Sequence, residues 1–163
     1  MTRIEIGHAD TVPLEEFRLQ WRFTDRHADR WSADTRRRVR PLSTRAAEAL
    51  GSFAATSCRD GAEFSATFRS DDPPGAVRQR LRELPPRPDE VVLVSWDAQS
   101  AVVTDWDAFV THWDDFCYPS SDDVTVLPLA GDWALCYRHY EVMQFRPRRT
   151  PNAPDVGATS LQP

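Results

Sequence analysis

Four of the six tryptophans, Trp96, Trp106, Trp113 and Trp133, fall between residues 91 and 145. The stretch reads VVLVSWDAQSAVVTDWDAFVTHWDDFCYPSSDDVTVLPLAGDWALCYRHYEVMQF. Rings of this size each bury a large area, so this segment must supply much of any core. The same stretch concentrates negative charge. From Asp97 to Glu141 there are nine acids (Asp97, Asp105, Asp107, Asp114, Asp115, Asp122, Asp123, Asp132 and Glu141) against one base, Arg138. Aromatic bulk beside acid suits a protein-binding face for a basic partner.

The hydrophobic periods give the segment a fold class. Residues 91–96 are a continuous apolar run, the signature of a strand buried on both faces. A turn at 97–100 and a short return strand at 101–103 follow. Thr104 is then placed to cap a helix, with Asp107 at the third position of a capping-box variant. Trp106, Phe109, Val110 and Trp113 fall at i, i+3, i+4 and i+7, which predicts one helix with one buried stripe. CYPSSDD at 117–123 is turn chemistry. Strands are predicted at 124–127, 133–138 and 142–145, with a hairpin loop at 128–132 in which Gly131 is free to take positive φ. The order β-β-α-β-β-β predicts an antiparallel-type sheet with a packed helix, hence an α+β fold.

The first part of the chain reads as mostly helical. DTVPLEEFRLQWRF at 10–23 opens with a capping Asp10 or Thr11 and Pro13, and places Leu14, Phe17 and Trp21 on one stripe. Residues 32–40 predict a short basic helix stopped by Pro41. Residues 43–55 predict a helix capped by Ser43, with Ala46, Leu50, Phe53 and Ala54 inward. Ala62, Phe64, Ala66 and Phe68 alternate with polar residues, a strand with one wet face. A helix at 76–84 puts Val77, Leu81 and Leu84 inward. PPRP at 85–88 is the best internal boundary. At 163 residues the chain suits one domain burying about 70% of its unfolded surface. That domain is placed at 1–147, and the composition of 148–163 predicts a mobile tail.

Charge and cysteines narrow the function. The net charge of −5 argues against nucleic acid as a partner. All 20 bases are Arg, as expected of GC-rich coding. Residues 1–90 hold 16 of them with 15 acids, while residues 91–163 hold 4 with 10 acids. The two parts therefore present different surfaces. The basic run Arg26, Arg30, Arg36, Arg37, Arg38, Arg40 and Arg45 is interleaved with Asp25, Asp29 and Asp34. It reads as a solvated face, or as one paired with the acidic second half. Cys58, Cys117 and Cys136 are odd in number and lack C-x-x-C spacing, which predicts free, mostly buried thiols in a reducing compartment. No apolar leader or span of about 18 residues occurs, so the expectation is a cytoplasmic protein away from membranes.

Asp122, Asp123, His139 and Glu141, with Asp114 and Asp115 nearby, could hold a divalent cation, but no EF-hand spacing is present. Local capping of the 117–123 turn explains the same residues. Cys117 is hemmed by aspartates that raise a thiol pKa, against the needs of a nucleophile based by His112 or His139. Ser120 and Ser121 lack G-x-S-x-G. There is no P-loop, G-x-G-x-x-G or H-E-x-x-H, so no cofactor is expected.

The phrases LEEFRLQWRF at 14–23 and RPLSTRAA at 40–47 resemble the opening of a small bacterial family of unknown function, and WALCYRHYEVMQF at 133–145 is similar to its closing strands. The acidic, Trp-rich second half is similar in style to immunity proteins that neutralise bacterial toxins. Neither resemblance implies catalytic residues. The expectation is a non-enzymatic binding protein meeting a basic protein through Asp114, Asp115, Asp122, Asp123, Glu141 and Tyr118. The alternative is a small enzyme or metal-binding protein centred on Asp122, Asp123, His139 and Glu141. The sequence assigns no oligomeric state.

Overall fold

The apolar run near residue 91 forms the strand around which the rest is laid. In a computed structural model, which describes residues 5–24, 31–58, 63–129 and 133–147, Val92, Leu93 and Val94 are fully enclosed. Among the described residues five helices occur: α1 (Ala33–Arg38), α2 (Thr44–Ser57), α3 (Pro74–Arg82), α4 (Trp106–Thr111) and α5 (Trp113–Phe116). The strands are β1 (Arg40–Pro41), β2 (Ala66–Arg69), β3 (Val91–Asp97), β4 (Ser100–Asp105), β5 (Val124–Pro128), β6 (Ala134–Arg138) and β7 (Val142–Arg146). They form one sheet in the order β1-β4-β3-β5-β6-β7-β2, and every pairing is antiparallel. The fold is α+β, and its second part follows the predicted β-β-α-β-β-β order except that two short helices, α4 and α5, stand where one was expected.

Period-two alternation divides the strand residues between two layers. Val92, Val94, Val126, Leu135, Met143 and Phe145 face an aromatic core. That core also takes Phe17, Phe23, Trp31, Val77 and Leu81 from the first part of the chain. β1 and β2 sit at the two edges of the same sheet. The prolines at 85–88 therefore lie between segments that share one sheet and one core. On the opposite face Leu93, Ala101, Val103, Leu127, Ala134 and Cys136 lie beneath α2.

Several local expectations are corrected. Residues 10–23 do not make one helix. They form 3-10 turns at Leu14–Glu16 and Gln20–Arg22, after an earlier one at His8–Asp10. The stripe breaks with the helix: Phe17 is buried, but Trp21 is 41% exposed, and Arg22 and Phe23 go inward instead. The helix at 106 is capped one residue later than expected, by Asp105, whose carboxylate accepts from the Ala108 N–H at 2.9 Å. It also splits at His112, where φ −119° and ψ 28° leave the helical range. All three aromatic rings still point inward, Trp106 and Phe109 from α4 and Trp113 from α5. On α2 the buried apolar positions are Ala47 and Ala54, followed by Cys58, while Phe53 is on the outside.

The cysteine expectation is overturned. Cys58 and Cys136 form a disulfide, with Cα atoms 5.8 Å apart at a sequence separation of 78. Spacing could not show this, because β6 reaches the end of α2 only through the sheet pairing. Cys117 is the free thiol among the described residues, and it is buried. The hairpin glycine Gly131 and the 148–163 tail lie outside the described residues.

Trp113 tests the two-helix packing. Its ring is enclosed and its indole N–H donates to the Pro74 carbonyl of α3 at 3.2 Å. Trp113→Ala should cost about 3–5 kcal/mol in urea unfolding. A loss under about 1 kcal/mol would contradict this packing.

Candidate partner-binding corner

The loop after α5 and the β6–β7 turn meet at one end of the sheet, and the expected site residues divide there. Asp122 points inward. Its oxygens accept from both terminal nitrogens of Arg22, at 2.6 and 3.1 Å, and from the Tyr118 N–H at 2.8 Å. Arg22 is 4% exposed and Asp122 8%. The guanidinium also donates to the Phe116 carbonyl at 3.3 Å. Its carbon lies 4.5 Å from the Tyr118 ring centroid, 5.2 Å from Trp21 and 5.6 Å from Trp96. A two-pronged ion pair among rings is a strong, directional contact that recovers part of the cost of burying two charges.

Asp115 is more deeply enclosed, at 1% exposure. It accepts from the Trp31 indole N–H at 2.9 Å and lies 3.8 Å from His112 Nδ1, while the His112 ring stacks on Trp31 at 3.9 Å. Asp115 and Asp122 are therefore corrected from surface residues to interior ones. Each faces a polar group from the first part of the chain, and leaving that group unanswered in the core would be costly. Asp114 is half-buried. Asp123, adjacent to Asp122, points the other way. Its Oδ1 accepts from the His139 N–H at 2.9 Å and lies 3.0 Å from His139 Nδ1. Glu141 adopts φ 63° to close the β6–β7 turn, and its carbonyl accepts from the Ser70 N–H of the β2 edge. Of the four residues of the alternative metal or catalytic centre, Asp123 and His139 meet, while Asp122 turns inward to Arg22. No group of three candidate metal ligands forms among the described residues.

The same division governs the other acids. Arg18 binds Asp97 at 2.5 Å, and Arg38 takes Asp105 with two nitrogens and Asp107 at 3.1 Å. With Arg22, three arginines of the first part thereby meet four aspartates of the second. The pairing of the basic part with the acidic part is intramolecular at these positions. Arg22 was not singled out in the sequence. The available signal was its place in Trp-Arg-Phe at 21–23, a charge set within an aromatic run.

What stays at the surface is a small aromatic corner. Trp21 packs on Tyr118 at 5.4 Å between centroids. Ser120, at φ 65°, donates its N–H to the His139 carbonyl at 2.8 Å and ties this loop to the next turn. Tyr140, 54% exposed, stands edge-on to His139 at 5.2 Å. Cys117 lies behind the corner. Burial pushes its thiol pKa well up, Asp122 and Asp114 add to that, and Arg22 opposes it. It has no nucleophilic character there. No helix among the described residues is long and apolar enough to cross a membrane. Comparison with known protein families, curated proteins and solved structures finds no match.

The acid pairs set a pH dependence. Burial alone would raise the carboxyls of Asp97, Asp105 and Asp123. The Gln99 N–H and Arg18 at Asp97, Arg38 and the Ala108 N–H at Asp105, and the His139 groups at Asp123 outweigh it, and all three titrate below their usual range. A depressed carboxyl contributes stability above its unfolded pKa and loses it as pH falls through the folded one. Urea midpoints should therefore decline as pH falls below about 4, near the unfolded carboxyl value. Asp105→Asn should make that decline shallower, and an unchanged slope would remove the Arg38 pair from the explanation.

Proposed function

We propose that this chain is a non-enzymatic binding protein that engages a basic protein partner, in the manner of toxin-immunity proteins. The face is the corner formed by Trp21, Tyr118, His139 and Tyr140, with Asp123 and Glu141 at its edge. The observation that carries this reading is the support beneath the exposed Trp21 and the half-buried Tyr118. Both rings rest on the buried Arg22–Asp122 pair, which is itself held by backbone groups of the same loop. Rigid tryptophan and tyrosine anchors lose little freedom on binding, and they dominate interface energetics.

The acidic contribution is narrower than the sequence implies. Asp115 and Asp122 act inside the fold, and Asp123 is the one carboxylate of the proposed set that is exposed. With the net charge of −5, Asp123 steers a basic partner before contact while staying paired with His139. The expected cytoplasmic setting does not follow from the cysteines, since a disulfide persists most readily in an oxidising compartment.

The test begins with capture and identification of a partner, followed by kinetics on purified components. Trp21→Ala should speed dissociation by roughly tenfold or more, as loss of a central anchor does. Asp123→Asn should instead slow association, and added salt should erase that difference. A partner whose association and dissociation ignore both substitutions would remove this corner from the account.

A further inference from the structure

The two faces of the sheet are closed by unequal means. One is sealed by large aromatic rings, the other by α2. The apolar side chains that α2 and its cap bury fully are small: Ala47, Ala54 and Cys58. The two ends of this helix are also held differently. Its first half is capped by Ser43 and packs with Leu42, Leu50, Leu93 and Val103 in one cluster. Its last turns belong to a separate, smaller cluster containing Leu127, Ala134 and Cys136. Between them stands Gly51. A Cβ there would lie 3.2 Å from Ala98 Cα, so the helix touches the β3–β4 turn at this point. Glycine also weakens helix continuity, by about 1 kcal/mol relative to alanine.

From Glu48 to Cys58 one side of the helix borders a cleft. This cleft, of about 580 Å³, opens between Ala55 and Cys58 on one side and Trp96, Thr125 and Arg138 on the other. Besides the small packing of Ala54 on Leu127 and Ala134, two contacts hold the helix end: the Cys58–Cys136 disulfide, and the Arg138 guanidinium donating to the Cys58 carbonyl at 2.5 Å. We propose that Cys58–Cys136 is a reducible latch, and that thiol–disulfide exchange with a dithiol reductant frees the C-terminal half of α2 from the sheet, with Gly51 as the hinge.

The chemistry is fixed by access. Cys58 is 6% exposed and lines the cleft, whereas Cys136 is 1% exposed. A reductant thiolate attacks the Cys58 sulfur, and Cys136 leaves as a thiolate that takes a proton. The second reductant thiol then displaces Cys58, which is protonated in turn. Two electrons and two protons pass to the chain, and the reductant ends as a disulfide. The latch operates whether or not the aromatic corner binds a partner.

Cys117 makes the test self-controlled, because it is buried in the aromatic core on the other face of the sheet. The full chain is treated with dithiothreitol at neutral pH without denaturant, then alkylated. Amide exchange is compared with the oxidised chain. The expected result is alkylation of Cys58 and Cys136 with Cys117 protected. Amides of residues 52–58 should exchange roughly tenfold faster or more, while those of β3 and β5 keep their protection. Cys58→Ser/Cys136→Ser should reproduce that exchange pattern without reductant. Where that variant does not fold, the reduced and alkylated natural chain supplies the same readout. A bond that resists reduction, unchanged protection of 52–58, or labelling of Cys117 in step with the other two would each overturn the latch. The last would show a bond that holds the whole fold.

Discussion

The buried pair of Arg22 and Asp122 joins the two parts of the chain, and much of the surrounding arrangement depends on it. Residues 20–22 form only a single 3-10 turn, which has little stability of its own. Its position comes from the guanidinium, which reaches Asp122, the Phe116 carbonyl and three aromatic rings. Once Arg22 is fixed, Phe23 is delivered against Trp31 and Phe116, and Trp21 is turned outward onto Tyr118. A charge in the core thus decides which tryptophan faces solvent.

That arrangement also changes the meaning of the charge asymmetry. An acidic half and a basic half read as two surfaces, one of them open to a partner. In the folded chain Arg18, Arg22 and Arg38 take up Asp97, Asp122, Asp105 and Asp107. Trp31 occupies Asp115 as well. The buried member of this set is strongly specified. The exposed pairs stabilise little on their own, and serve more to align the N-terminal segment on the sheet. The corner left at the surface is aromatic first and acidic second.

The β-rich part was legible because its periods were clean. The run at 91–96, the alternation at 133–138 and the inward Trp106, Phe109 and Trp113 depend on local pattern, and local pattern survives folding. The N-terminal segment was not legible, because its apolar spacing matched a helix while its partners lay about a hundred residues away. Trp21 and Arg22 exchanged their expected places for that reason. Cys58 and Cys136 were hidden by the same kind of distance, since only the β5–β6 register brings Cys136 under the end of α2. Of the expected site, Asp123, Tyr118 and Glu141 stayed at the corner. Asp115 and Asp122 were claimed by Trp31 and Arg22, whose need for a polar partner cannot be read from the acids alone.

The central claim is that Arg22 and Asp122 form a coupled pair that locks the first part of the chain onto the second. A double-mutant cycle with Arg22→Met, Asp122→Asn and the combined variant, followed by urea unfolding with the disulfide intact, measures that coupling directly. Each single substitution should cost about 3–5 kcal/mol, because it strands one charge or its polar partner in the core. The combined variant should lose less than the sum by about 2–3 kcal/mol. Additive losses, with a coupling under about 0.5 kcal/mol, would show that the two residues act independently and would contradict the account.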